Sequence, residues 1–146
     1  MVRPAQLSDL PYLVEMGRRF FEASGYSDVT TFDSKSLRAT IEALLTNEDA
    51  VILVVGEKPV GLAIAILYPF YFNANHRTSQ EMLWWVEPEH RGVGTQLFEA
   101  LITGVKAKGA ESISMIALER LTPEKVGGIY ERRGFRPSER SYIKKL

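Results

Sequence analysis

The amino-acid sequence predicts a mixed α/β fold in which helices cover a twisted, mixed sheet. Three observations support this prediction. Two N-terminal stretches carry apolar residues at helical spacing, the middle of the chain holds consecutive β-branched and aromatic runs, and the second half alternates between the two patterns. The predicted order of elements is β-α-α-β-β-β-α-β-α-β. With 146 residues, the chain is expected to fold as a single domain, residues 1–146.

The first third of the chain predicts a short extended segment followed by two helices. Ser8 and Asp9 provide a cap and a first-turn negative charge for the first helix, which we expect to end at Gly25. A second helix is predicted from Ser34 to about Thr46. Both carry apolar residues on one face only, so each is expected to pack on the sheet. In the first helix these residues are Leu10, Leu13, Val14, Gly17, Phe20 and Phe21.

Three strands are predicted in the middle of the chain. Ala50–Val55 is a β-branched run, and after a short turn sequence Val60–Phe70 forms a second apolar run. Because few residues separate the two runs, we expect an antiparallel hairpin. Gln80–Val86 is the third predicted strand. Its Trp84 and Trp85 are expected to point to opposite faces of the sheet.

The second half of the chain predicts two further helices and two further strands. A helix is expected from Gly94 to Lys108, and Ser112–Leu118 alternates as a strand does. The next helix is predicted from Thr122 to Arg133, with proline tolerated in its first turn. The remaining residues, 135–146, have the composition of an edge strand.

Composition excludes several classes of function. The 18 basic and 18 acidic residues balance, which argues against a nucleic-acid partner or an anionic membrane. The absence of cysteine excludes disulfides and thiolate nucleophiles, and two histidines are too few to favour a metal site. The longest apolar run, residues 60–72, is shorter than the ~20 residues of a membrane helix, and no signal-peptide pattern opens the chain. A soluble, cytoplasmic protein is therefore expected.

The segment WWVEPEHRGVGTQLFEALI, residues 84–102, is the strongest candidate for a binding site. It joins a strand to a helix N-terminus, where unpaired N–H groups and the helix dipole favour anions. Gly92 and Gly94 would let the backbone approach a bulky oxyanion, and Arg91 adds a forked cation. The combination indicates a phosphate site, although a tight turn with nothing bound has the same composition. The Walker and dinucleotide-binding patterns are absent.

Two motifs together resemble the GNAT superfamily of acyl-CoA-dependent N-acyltransferases. The first is VEPEHRGVGTQLFEAL, and the second is IYERRGF, residues 129–135. The resemblance extends from RPAQLSDLPYLVEM to the end of the chain and includes the order of elements. It implies a GNAT-like fold and an acyl-CoA co-substrate, acetyl-CoA in the first place. It further implies that backbone amides of the loop after the third central strand hold the pyrophosphate.

The resemblance leaves two registers for this loop. The family pattern Q/R-x-x-G-x-G/A begins either at Arg91, with Gln96 in the last position, or at Glu89, with glycines at positions 92 and 94. The second register keeps both glycines and the buried face of the helix, and we prefer it. It places Glu where the family has Gln or Arg and shortens the loop by two residues.

The resemblance also implies roles for individual residues. A backbone amide near Trp85 or Val86 would polarise the acyl carbonyl. Tyr130, in a pattern similar to YE-x-x-GF, fits the acid for the leaving thiolate, while a packing aromatic is the alternative. Pro123 stands where the family often has Asn, so the usual hydrogen bond to the pantetheine arm is missing. The residues expected to bind the cofactor are Trp85, Val86, Arg91, Gly92, Val93, Gly94 and Thr95.

Three candidates remain for the general base. Glu81 lies on the strand that in this family often contributes a carboxylate to the acceptor site, although a solvent-facing strand residue explains it equally well. Glu119, at the exit of the next strand, is the second candidate, and a chain of waters is the third. His90 and His76 are expected to be exposed loop residues.

The resemblance implies an N-acetyltransferase that moves an acetyl group from acetyl-CoA to a primary amine by direct attack in a ternary complex. The absence of cysteine agrees with direct transfer. The acceptor is expected to be a small molecule or a protein amine, with no membrane partner. The alternative is a non-catalytic CoA-binding or protein-interaction module of the same fold. The aromatic segment at residues 68–73 suggests either a homodimer contact or an apolar acceptor wall.

Overall fold

The computed structural model describes residues 1–146, and a five-stranded sheet with helices on both faces forms its architecture. The strands follow one another in sheet order β1-β2-β3-β4-β5, antiparallel except for the parallel pair β4–β5. This mixed α/β architecture confirms the predicted class. The elements are β1 (Val2–Pro4), α1 (Leu10–Ser24), α2 (Ser34–Leu45), β2 (Ala50–Val55), β3 (Gly61–Phe70), β4 (Asn73–Val86), α3 (Gly94–Ala107), β5 (Ser112–Ser114) and α4 (Pro123–Glu131).

Each face of the sheet buries its own apolar cluster. Helices α1 and α2 cover one face through Leu10, Leu13 and Ile41, and α3 covers the other through Leu97 and Leu101. Because side chains alternate along a strand, neighbouring residues of β2 to β4 serve different clusters. The two tryptophans follow this rule, as predicted. One packs under α1 and the other packs against the α3 side.

Strand β4 begins seven residues earlier than the sequence predicted. Residues 73–79 are polar, and the predicted strand began only at Gln80. They nevertheless pair with residues 67–70 of β3 in a hairpin that extends beyond β2. An apolar sequence pattern reveals a strand only where the strand has a buried face. Most of this end of the hairpin is exposed, so the sequence carried no such pattern.

The two last predicted strands are corrected by the structure. β5 ends at Ser114 instead of Leu118, because the next N–H group directed at β4, that of Ile116, donates to a side chain of β4. No strand forms in residues 135–146, where Phe135 is half-buried and the residues after it are exposed. Helix α4 is slightly shorter than predicted, ending at Glu131.

None of the helices combines the length and the hydropathy that a membrane-crossing segment requires.

A buried ion pair attaches the N-terminal strand to the first helix. The Arg3 guanidinium donates to both carboxylate oxygens of Asp9, at 2.8 and 2.9 Å, and the Gln6 N–H donates to the same carboxylate at 2.8 Å. Asp9 is 4% exposed. The hydrogen bonds from Arg3 hold the pKa of Asp9 below its usual value. The other end of α1 is closed by Gly25, whose φ of 88° is the left-handed conformation that favours glycine.

We predict that Asp9→Asn lowers the free energy of unfolding at neutral pH by about 1–3 kcal/mol, the usual range for hydrogen bonds to a charged group. The folded pKa is depressed, so the stabilisation is present above the unfolded value of 3.8 and is lost as pH falls through the folded pKa. Urea denaturation at neutral and acidic pH measures both effects.

The matched control is Asp28→Asn, which removes an exposed ion pair with Arg120. Exposed pairs contribute about 0–1 kcal/mol, so this variant should unfold nearly as the parent does. Equal losses in the two variants would contradict a special role for Asp9.

Candidate active site

The site forms where β4 and β5 separate. The two strands pair only from Thr78 to Gln80, and beyond that point β4 continues alone to Val86. Residues of an antiparallel ladder alternate between hydrogen-bonded and non-bonded pairs. The Glu87 N–H donates to the Val60 carbonyl at 2.9 Å, which fixes this alternation along the end of β4.

This alternation decides which backbone groups face the opening. Trp85 pairs with β3 through hydrogen bonds, whereas Trp84 and Val86 direct their backbone N–H and C=O groups away from β3. No strand covers that side of β4 beyond Gln80. The sequence-predicted amide of Val86 therefore lies on the open edge. The amide of Trp85 does not, because β3 already binds it.

A register shift in β4 turns one carboxylate toward β5. Leu83 pairs with Ile64 and Glu81 pairs with Ala65, so Met82 is the extra residue of a β-bulge. The Glu81 side chain is 4% exposed, and its Oε2 accepts a hydrogen bond from the Ile116 N–H at 2.9 Å. Burial raises the pKa of Glu81 to about 7, although the hydrogen bond from Ile116 opposes the shift.

Tyr130 reaches the same residue from helix α4. Its hydroxyl donates to the Ile116 carbonyl at 2.7 Å, and its ring packs among Trp84, Phe98 and Phe135 with centroid distances of 5.6 to 6.1 Å. Burial raises the pKa of Tyr130, and the nearby Glu81 charge raises it further. The phenol therefore keeps its proton at neutral pH.

A small cavity opens beside Glu81. Its volume is about 60 Å³, enough for a few water molecules. Eight of its nine lining residues are hydrophobic, and Glu81 is the one carboxylate on its wall. The hydrophobic lining comes from α1 and the turn after it, from β4, and from the segment that leads from β5 into α4: Phe20, Tyr26, Met82, Trp84, Ile116, Leu118, Leu121 and Val126.

The candidate phosphate loop is a turn of 3₁₀ helix, Pro88–Val93, that runs into α3 at Gly94. Its start is fixed by Glu87, which accepts hydrogen bonds from Arg19 of α1 and from Trp85 Nε1, the latter at 3.4 Å. The Arg91 guanidinium lies over the Trp85 ring, 4.8 Å from its centroid. Cation–π contact therefore holds this arginine in place at the edge of the loop.

The two glycines of the loop differ in their surroundings. A Cβ added at Gly94 would point at the sheet and lie 3.7 Å from atoms of Trp84 and Val86. A Cβ added at Gly92 would meet nothing within 4 Å. The backbone of Gly92 is exposed, whereas Val93 and Thr95 beside it are half-buried. The open backbone surface of the loop is therefore centred on Gly92.

The structure brings Glu81 and Tyr130 together on one residue, Ile116. Glu119 is exposed and accepts no hydrogen bond, and His90 is exposed as predicted. His76 is also partly exposed and contacts Ser112 and Glu111 at the hairpin, away from the cavity lining.

Sequence reasoning missed two features of the site. Tyr26, which follows α1, is half-buried and lines the cavity, because the 3₁₀ turn after Gly25 packs it against Phe20 with 6.3 Å between the ring centroids. Trp84 Nε1 is a buried donor without any hydrogen-bond partner. The two neighbouring tryptophans in the sequence predicted that they face opposite sides of the sheet, but nothing in the sequence indicated that one indole N–H would lack a partner.

Comparison with known proteins identifies the family. The sequence model of the acetyltransferase (GNAT) family matches residues 13–135. No curated protein matches the sequence.

Among solved structures, an acetyltransferase of Trypanosoma brucei aligns at 23% identity with a TM-score of 0.74, covering 100% of this chain and 99% of that one. A predicted acetyltransferase of Clostridium acetobutylicum, solved with acetyl-CoA, aligns at 21% identity with a TM-score of 0.77, covering 100% and 96%. An aminoglycoside 6'-N-acetyltransferase of Acinetobacter haemolyticus aligns at 18% identity with a TM-score of 0.72, covering 100% and 98%. At these identities the neighbours establish the fold, and the family match over most of the sequence shows that this chain belongs to the GNAT acetyltransferase family.

Proposed function

We propose that the protein is an acetyl-CoA-dependent N-acetyltransferase that acts on a primary amine by direct attack in a ternary complex. One observation carries the proposal: a buried carboxylate with a pKa of about 7 and a buried phenol both bind the backbone of Ile116 beside an apolar cavity. A base and a proton donor in one desolvated opening are the groups that acyl transfer to an amine requires.

Three features support a path for acetyl-CoA along the opening between β4 and α4. The unpaired backbone groups of Trp84 and Val86 can bind the amides of an extended arm, as a sheet edge binds a strand. The loop centred on Gly92 and the first turn of α3 supply N–H groups and a helix dipole for the pyrophosphate. In α4, Gly127 leaves room for close approach, since an added Cβ would meet nothing within 4 Å.

Glu81 suits the removal of a proton from the incoming amine. A lysine-type amine has a pKa of about 10.4 and arrives protonated at neutral pH. A carboxylate with a pKa of about 7 is ionised in part and is a much stronger base than an ordinary glutamate. The cavity beside it has room for a water that could relay the proton.

The acetyl group then passes from sulfur to nitrogen. The neutral amine nitrogen attacks the thioester carbonyl carbon, and the Val86 N–H on the open edge of β4 donates to the developing oxyanion. The carbon–sulfur bond breaks as the carbonyl re-forms, and the electron pair leaves on sulfur. Tyr130 donates a hydrogen bond to that sulfur and gives it a proton as the thiolate charge develops. The nitrogen loses its second proton to the phenol, which restores Tyr130, and Glu81 releases the first proton to solvent.

The acceptor is proposed to be an amine for two reasons. The base with its raised pKa is matched to a nucleophile that must lose a proton before attack. In addition, one structural neighbour is an aminoglycoside N-acetyltransferase. A cytoplasmic location remains part of the proposal, as the compartment in which acetyl-CoA chemistry of this kind would proceed.

One observation favours the non-catalytic alternative, a CoA-binding module of the same fold. Glu81 and Tyr130 already bind Ile116, so both could serve only to hold the segment after β5. Calorimetry with acetyl-CoA tests binding, and release of free thiol with a panel of amines tests catalysis. Binding without thiol release for any amine would favour the module.

We predict that Gly92→Val weakens acetyl-CoA binding at least tenfold, because a branched side chain would cover the open backbone of the loop. Thermal unfolding should change little, since nothing lies within 4 Å of the added Cβ. Titration calorimetry gives the affinity. Gly94→Ala is the matched control: its Cβ points at the sheet and should alter the affinity far less, so the reverse order would contradict the placement of the pyrophosphate.

We predict that Tyr130→Phe lowers turnover roughly a hundred- to a thousandfold with little change in acetyl-CoA affinity, since only the proton donor is removed. Steady-state kinetics on the preferred amine, with calorimetry for the cofactor, separates the two quantities. Tyr12→Phe on the exposed side of α1 is the control and should leave both unchanged. Normal turnover in the Tyr130 variant would make the tyrosine a packing residue.

We predict that Glu81→Gln loses the inflection near pH 7 in the pH profile of kcat/KM. The variant depends on free amine from solution, so its deficit should be largest at pH 7 and below and should shrink as pH rises toward the amine pKa of about 10.4. Rates with one amine across this range provide the measurement.

The control for this profile is Glu119→Gln, an exposed carboxylate on the neighbouring segment. Its profile should coincide with that of the parent. If instead the Glu81 variant coincides with the parent, the base is Glu119 or water and Glu81 has a structural role only.

A further inference from the structure

The cavity beside Glu81 lies on the face of the sheet that α1 covers. Its walls include Phe20 of α1, Tyr26 of the turn after α1, and Leu118 and Leu121 of the segment between β5 and α4. These four residues belong to the apolar cluster under α1 or pack against it. Helix α3, whose first turn is proposed to hold the pyrophosphate, covers the other face. A second substrate can therefore reach Glu81 from the side opposite α3.

The cavity wall offers one group that can bind an ammonium ion by charge. Glu81 is the one carboxylate among the nine lining residues, and none of the nine is basic. The Tyr26 hydroxyl and the Trp84 indole N–H are uncharged, and the indole N–H is a donor only. Glu81 can take a proton from one ammonium group, but a second ammonium group would lie against hydrocarbon. A buried charge without a partner is costly, so the wall disfavours an acceptor with two positive charges.

The size of the cavity limits the acceptor as well. Its volume of about 60 Å³ holds roughly four to six non-hydrogen atoms, at ~10–15 Å³ for each water-sized group. An amine on a short alkyl chain has this size. A sugar that bears several amines is larger and carries several positive charges.

An exposed ion pair joins two walls of the cavity. Arg120 of the segment between β5 and α4 donates to Asp28, two residues after Tyr26, at 2.5 Å. The Arg120 side chain also lies against Gly25, because a Cβ added there would be 2.8 Å from its Nε. Both segments carry residues of the wall, so the pair bridges them. It also neutralises the Asp28 carboxylate, which would otherwise be free to bind a second ammonium group.

We propose that the acceptor is a small monoamine whose other end is apolar, and that Arg120 determines this preference by bridging the cavity walls and neutralising Asp28. The inference rests on the proposed N-acetyltransferase function and names the acceptor of the same site. The apolar end of the amine occupies the cavity, and its nitrogen lies toward Glu81, which takes its proton. The products are the N-acetyl amide and free CoA.

Two amines of equal length test the selection by charge. In 1,4-diaminobutane a second ammonium group replaces the terminal methyl group of n-pentylamine. At a pH near 7.4, a second amine with a pKa of about 10.4 is uncharged in roughly one molecule in a thousand. We therefore expect kcat/KM, measured by thiol release from acetyl-CoA, to be about a hundred- to a thousandfold higher for n-pentylamine.

Two further amines separate the acceptor class from the proposed function. Nα-acetyl-lysine amide represents a protein side chain, and kanamycin represents an amino sugar with several charges. Both should be poorer acceptors than n-pentylamine. A preference for either of them, or for the diamine, would overturn the monoamine assignment and leave the N-acetyltransferase function standing. Thiol release with none of the amines would overturn that function, and this inference with it.

Arg120→Ala tests the residue that determines the preference. The variant frees Asp28 at the edge of the cavity, so kcat/KM for 1,4-diaminobutane relative to n-pentylamine should rise roughly tenfold, as a hydrogen bond between charged groups contributes. Adding Asp28→Asn should cancel the gain, because no carboxylate then remains for the second ammonium group. Thermal unfolding should change little, since the pair is exposed.

The matched control is Arg77→Ala, which removes an exposed ion pair with Asp49 at the β3–β4 hairpin, away from the cavity. Its ratio of kcat/KM values for the two amines should equal that of the parent. A merely structural role of Arg120 would change the rates with both amines by the same factor, and an unchanged ratio in the Arg120 variant would contradict its part in acceptor selection.

Discussion

The backbone of Ile116 is the point on which the rest of the site depends. Its N–H donates to Glu81 of β4, and its carbonyl accepts from Tyr130 of α4. Through these two bonds one residue of a short loop connects the sheet to the last helix. The same bonds end the β4–β5 ladder, because the Ile116 N–H binds a side chain where a longer ladder would bind the β4 backbone. The opening between the strands and the placement of the two ionisable groups therefore have one cause.

Burying a carboxylate for this purpose costs stability. The folded pKa of Glu81, about 7, exceeds its ordinary value of 4.5, so the folded state favours the protonated form. The contribution of Glu81 to the free energy of unfolding is therefore most favourable below the unfolded pKa and falls as pH rises through 7. The total loss is up to roughly 3 kcal/mol, at about 1.4 kcal/mol per pKa unit. Asp9 behaves in the opposite way, since its pKa is lowered and its contribution disappears in acid. At neutral pH the Asp9 carboxylate therefore stabilises the fold, whereas the Glu81 carboxylate destabilises it.

The sequence predicted those elements whose burial has a regular period. α1, β2 and β3 have one or two fully buried faces, and their bounds agree with the apolar pattern to within a residue or so. The first half of β4 was missed because its exposed, polar residues carry no such pattern, although hairpin pairing with β3 determines it fully. The end of β5 could not be predicted either, since it depends on a side chain about 35 residues away in the chain.

The same distinction applies to the site residues. Motif spacing made Tyr130 and the loop at Gly92 candidates, because both belong to local sequence patterns. The burial of Glu81 depends on a β-bulge at Met82 and on a segment that follows the next helix, so its sequence neighbourhood fits a solvent-facing residue equally well. Trp85 shows the converse. It lies in the predicted stretch of sequence, but the alternation of hydrogen bonds along β4 directs its amide to β3. That alternation can be assigned only once the strand register is known.

The backbone of Ile116 also connects the site to the open edge of the sheet beyond β5. Glu81 and Tyr130 hold this residue from the inner side, while its outer side and its neighbours in residues 115–118 have no strand beside them. A shift of Ile116 would change the hydrogen bonds of both ionisable groups together. The pKa of Glu81 is sensitive to such a change, because the Ile116 N–H is the one hydrogen bond that opposes its upward shift. The protonation of the carboxylate and the orientation of the phenol therefore both depend on the position of this one residue.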